Sequence, residues 1–174
     1  MFFVYYSGAI AVHSHQRLQE HDVSSPPTVS LERIRSMLAG RDLNYGDYAD
    51  SELVVPTSNA IFLWNTSNPQ ILQLRAHWRG LAEDDAQFVA LTEEVAQCNT
   101  TRTGPKAYLA PFEDGTRYGL IAECNVVATS GLTEAQLDAF CETSMEMILS
   151  FFHDLEAAHP EMVTWSDNGE GAHA

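Results

Sequence analysis

The chain has few cysteines and no pattern to them. Cys98, Cys124 and Cys141 are widely spaced, odd in number and without a CxxC pair. That excludes a disulfide framework and predicts reduced, buried thiols of an intracellular protein. No run of about 18 apolar residues is present, so no membrane-spanning helix is expected. Nucleotide and nucleophile signatures are missing too: there is no P-loop, no GxGxxG, no G-x-S-x-G and no HExxH. Positive charge is the last scarcity. Nine Lys and Arg face 24 Asp and Glu, a formal net charge of −15, and residues 130–174 carry nine acids with no Lys or Arg. Such an end repels phosphate backbones and anionic lipid heads, which argues against nucleic acid and against membrane docking. Basic or polar-apolar protein partners fit it better.

What is present describes one globular domain. The 174 residues are 45% apolar and 10% aromatic, enough for an ordinary core. The first 28 residues read as a leader and linker, ending in Ser24-Ser25-Pro26-Pro27. The leader's apolar stretch lacks a basic flank and a cleavage pattern, so an upstream extension, or a start codon placed too early, is expected rather than a signal peptide. The domain proper is expected over 29–160. After it comes a flexible acidic tail, 161–174, whose apolar members are Met162, Val163 and Trp165.

Periodicity then sets the elements. A helix is expected over 29–39, capped by Thr28 or Ser30 and stopped by Gly40. Short strands follow: a candidate over 43–48, then 52–55, 60–65 and 70–79. In the last, Leu72, Leu74, Ala76 and Trp78 alternate with Gln73, Arg75, His77 and Arg79, the mark of a half-buried antiparallel strand. A second helix over 84–99 places Phe88, Leu91, Val95 and Cys98 on one stripe. Arg102 and Lys106, just past it, suit its exposed carbonyls. Strands over 106–112 and 116–129 flank an Asp114-Gly115 hairpin turn. Thr133 with Gln136 forms a capping box that opens a final helix of about 26 residues. The order is α-β-β-β-α-β-β-α. The fold class is α+β, a twisted, mainly antiparallel sheet of about five strands flanked by helices.

Certain stretches, taken in order, carry a resemblance. They are SLERIRSMLAG at the domain start, Trp78-Arg79-Gly80, and Asn99 and Arg102 with Gly104-Pro105-Lys106-Ala107-Tyr108. The last is Gly131-Leu132-Thr133-Glu134-Ala135-Gln136-Leu137 leading to Phe151-Phe152. Together they resemble the YbjN-like family, whose members are described as "putative bacterial sensory transduction regulators". The resemblance implies a fold like that of type III secretion chaperones, small acidic homodimers that bind other proteins. It brings no catalytic residues and no cofactor.

Chemistry-bearing clusters are thin. His13 and His15 sit in the leader without rigid neighbours. His153 and His159 are six apart, so they leave the helix in directions about 120° apart, and His153 with Glu156 matches an ordinary helix end. No catalytic, cofactor or metal residues are assigned. The alternative to a binding protein is a metal-binding protein or enzyme that uses these histidines. Arg33, Arg35 and Arg41 are expected to form salt bridges with the acidic surface.

The final helix offers the clearest candidate surface. Leu137, Cys141, Ser144, Ile148, Phe151 and Leu155 form one stripe facing the sheet. Met145, Leu149 and Phe152 sit roughly 60–120° away from it. Beside them runs the acid row Glu134, Asp138, Glu142, Glu146. Met145, Leu149, Phe152, Glu142 and Glu146 are therefore the expected partner or dimer surface, unless a broad core covers the apolar three. The reading is a cytoplasmic, non-enzymatic, protein-binding regulator or chaperone-like homodimer.

Overall fold

A computed structural model of the protein describes residues 25–112, 115, 117–163 and 165. The leader before Ser25 and most of the tail expected after residue 160 lie outside the described residues. The elements are α1 (Leu31–Gly40), β1 (Gly46–Ala49), β2 (Glu52–Pro56), β3 (Ala60–Asn65), β4 (Ile71–Ala82), α2 (Asp85–Thr101), β5 (Lys106–Pro111), β6 (Tyr118–Val127), α3 (Glu134–Ala158) and a 3-10 turn, Pro160–Met162. The class is α+β as expected. The sheet has six strands rather than about five, because the candidate over 43–48 forms a short edge strand displaced to Gly46–Ala49.

The helix starts follow capping chemistry. Ser30 caps α1 and Asp84 caps α2, each side-chain oxygen accepting from the backbone N–H three residues on. Thr133 and Gln136 close a full capping box at α3.

All strand pairs are antiparallel, in the order β1-β2-β3-β4-β6-β5. The register sorts side chains onto two faces, because residues opposite one another in a ladder share a side. Leu53, Trp64, Leu74 and Cys124 form one such row, and Val55, Phe62, Ala76, Ala122 and Ala107 the next. All but Cys124, which is half-buried against it, belong to a single core cluster that also takes Ile34 and Leu38 from α1, Leu91 and Cys98 from α2, and Leu137, Ile148 and Phe152 from α3. The helices therefore cover one face of the sheet. Leu63 and Ile121 are also buried, yet stand outside that cluster on the opposite face.

Sheet edges are handled unequally. Along β5, the Asn99 side chain of α2 donates to the carbonyl of Ala107 and accepts from its N–H, both at 2.9 Å. That blunts an edge that would otherwise offer free backbone groups. Because β5 first meets β6 at Lys106 and Glu123, residues 124–127 of β6 pair with β4 on one side only.

Candidate functional site

Helix α3 sits centrally on the helical layer, and its environment decides what it can offer. Phe152 is fully buried in the core. Met145 and Leu149 are partly buried and packed against that core. The expected three-residue stripe is thus not one exposed patch. The buried arc of α3 is wide enough to take Phe152, because a helix lying on a twisted sheet is covered on its flanks as well as along its base.

The acid row is split by partners. Glu134 accepts from Arg33 at 2.7 Å, and Asp138 pairs with Arg41 at 3.2 Å, tying α3 to α1. Glu142 and Glu146 are exposed and have no hydrogen bond or ion pair among the described residues. The remaining α1 arginine, Arg35, pairs with Asp47 and Glu32. The Arg102 backbone N–H caps α2 by donating to the Cys98 carbonyl, but its side chain does not serve the α2 carbonyls. It pairs with Asp154 and lies 5.5 Å from the Phe151 ring. Lys106 likewise reaches Glu123 at 3.2 Å, because the chain has already turned into β5.

The opposite flank of α3 borders an apolar groove of about 560 Å³. Phe140, Thr143, Ser144 and Met147 form its helical wall, and Cys124 and Val126, from the β6 stretch paired with β4 alone, form its other side. Burial raises the Cys124 thiol above its ordinary range, and the same holds for Cys98; Cys141 is pushed up to about 11. All three are free cysteines held in the thiol form, consistent with packing rather than nucleophilic chemistry.

The outer face of the sheet carries a polar network. Glu123 accepts from Tyr108 (3.1 Å), Lys106 (3.2 Å), Gln73 (3.3 Å) and Asn125 (3.4 Å). Glu52 accepts from Asn65 (2.5 Å) and Arg75 (2.8 Å). In the ladder, Leu63 lies between Arg75 and Val54, so the arginine stem crosses Leu63 to reach Glu52 and roofs it. Arg75 Nε, His77 Nε2 and Trp64 Nε1 are buried without a hydrogen-bond partner.

The histidines expected to be the basis of any metal site are separated. His153 is exposed on α3. His159 lies 3.2 Å from Glu94 and 3.6 Å from Glu161. Glu156 is engaged by Asn59 and Trp78. Among the described residues, no group of three or more His, Cys, Asp or Glu could hold a metal ion. His13 and His15 lie outside the described residues.

An open antiparallel sheet with helices on one face, and a groove beside the end of β6 that has a neighbour strand on one side only, define an α+β domain. The chain belongs to the YbjN family: residues 30–157 match its model, described as "Putative bacterial sensory transduction regulator". The crystal structure of YbjN from E. coli, described as a putative transcription regulator, is similar in fold. Its TM-score is 0.64 at 17% identity, covering 77% of this chain and 97% of that one. The ExoT–SpcS complex structure from Pseudomonas aeruginosa gives a TM-score of 0.39 at 15% identity, covering 75% and 93%. No curated protein sequence matches the chain. Among the described residues, no helix is long and apolar enough to cross a membrane.

Proposed function

We propose that this is a non-enzymatic protein-binding domain, a bacterial regulator or chaperone-like protein acting in the cytoplasm. One observation carries the reading: the 560 Å³ apolar groove beside α3 is bordered by β6 residues 124–126, which have a strand on one side only. Unpaired strand backbone beside apolar pockets is the arrangement that captures an extended segment of another protein. Thr143 is exposed on the groove wall, so Thr143→Arg fills the groove without touching the core. A pull-down with mass spectrometry from the native host tests this. The expected result is a partner held by the parent chain and lost with Thr143→Arg. An identical set of bound proteins for both would refute the groove.

A second surface joins Met145, Leu149, Glu142 and Glu146, with Phe152 as the buried anchor beneath them. The lack of any cation paired with Glu142 and Glu146 among the described residues favours it as the homodimer or partner contact. The metal-binding alternative is tested by metal analysis of tag-free protein. Stoichiometric metal that resists dialysis would replace the binding-protein reading.

A further inference from the structure

The outer face of the sheet ends in a pocket of about 450 Å³ that neither binding surface uses. Its volume falls within the range of small-molecule sites, roughly 300–1,000 Å³. Its walls are aromatic. Trp165 meets Trp78 edge to face, with centroids 5.8 Å apart and planes at 90°. Phe112, 45% exposed, is a further wall, with the Arg117 guanidinium 5.0 Å from its ring centroid. Ile61 and Leu81 give the rest of the lining its apolar character.

Two polar side chains complete the pocket. His77 is held neutral, its pKa lowered by burial first and by nearby Arg75 second. Among the described residues that line the pocket, Arg79 then carries the positive charge. Its Nε donates to the Thr57 carbonyl at 3.0 Å, which fixes the guanidinium plane. Its remaining donors form no hydrogen bond or ion pair among the described residues. Arg33, Arg35, Arg41, Arg75 and Arg102 each hold a carboxylate, and Arg79 does not, in a chain with 24 acids. Glu83 and Glu161 line a smaller cleft on its other side, and neither pairs with it.

We propose that this pocket binds a small organic acid with an aromatic or branched aliphatic body. The carboxylate sits on the free donors of Arg79, in the forked geometry guanidinium offers to carboxylates. The apolar body lies between Trp165 and Phe112, over Ile61 and Leu81. This site does not depend on the protein-binding reading and stands or falls separately from it.

Tryptophan fluorescence of the full chain tests it, because Trp64 is fully buried in the core while Trp78 and Trp165 line the pocket. The probes are phenylacetate and phenethylamine, similar in body and opposite in charge. Phenylacetate is expected to saturate with a dissociation constant below about 10 mM, and Arg79→Gln to weaken it about tenfold. Arg79→Lys should restore part of the loss, and Arg35→Gln, on α1, should change nothing. Circular dichroism confirms that each variant is folded. The proposal is overturned if phenylacetate does not saturate, if phenethylamine binds as well, or if Arg79→Gln binds like the parent.

Discussion

At the scale of single residues, several family-motif positions have plain physical causes. The Trp78-Arg79-Gly80 stretch needs its glycine because the Trp78 ring folds over it. A Cβ at Gly80 would stand 2.2 Å from that ring. The ring cannot move aside cheaply, since Trp78 is buried and its Nε1 donates to Glu156 at 3.1 Å. Gly80→Ala should therefore destabilise by about 1–3 kcal/mol, read as a lower urea midpoint. Gly131 has a φ of +79°, and a Cβ there would meet the Pro26 carbonyl oxygen at 2.2 Å, so it too excludes a side chain. Cys141 gives a pH prediction. Its thiol, raised by burial from an ordinary 9.0 to about 11, keeps its proton in the folded state after the unfolded chain has lost it. Its contribution is full below about pH 9 and falls as pH rises towards 11, by roughly 2–3 kcal/mol. Cys141→Ala should lack that part of the alkaline loss in parallel urea titrations. If the two chains lose stability equally between those pH values, the thiol is not the cause.

At the scale of elements, Asn99 links α2 to β5 through a reciprocal pair of hydrogen bonds. Asn99→Ala leaves the N–H and carbonyl of Ala107, a buried residue, without these partners, and should cost about 1–3 kcal/mol. Hydrogen exchange should show faster loss of protection in β5 than in β3. Much at this scale was legible in the sequence, because caps and hairpins are local. Thr133 and Gln136 act as their spacing predicts, one of the two acids Asp84 and Asp85 at the start of α2 caps it, and β3 and β4 pair across the polar Asn65-Thr66-Ser67-Asn68-Pro69 turn. What was hidden depends on contacts distant in sequence. Phe152 looked peripheral on the helix because its burial comes from the width of the surface beneath α3. Arg102 was read as serving the end of α2, whereas Asp154 lies 52 positions away. The pocket around Arg79 escaped the sequence reading because β3, β4, Phe112 and Trp165 meet only after folding. Trp165 itself had been assigned to the tail.

At the scale of the whole molecule, charge is the organising quantity. Arg33 and Arg35 of α1 and Arg41 just after it are all paired with carboxylates, as their setting in an acidic chain predicts. That leaves Glu142 and Glu146 to face whatever approaches α3. If this flank is a homodimer contact, Met145→Asp together with Leu149→Asp should convert a dimer to a monomer in light scattering. A parent chain that is already monomeric at high concentration would remove the dimer from the account.

Arg33 has a mechanical consequence. It donates to the carbonyls of Pro27, Thr28 and Leu132 as well as to Glu134, while the Leu132 N–H donates to the Pro27 carbonyl. A pull applied at Ser25 would load this knot before it reached any strand. The first bonds to give way would be those holding the chain's entry to the turn ahead of α3, and the sheet would yield only after they had parted.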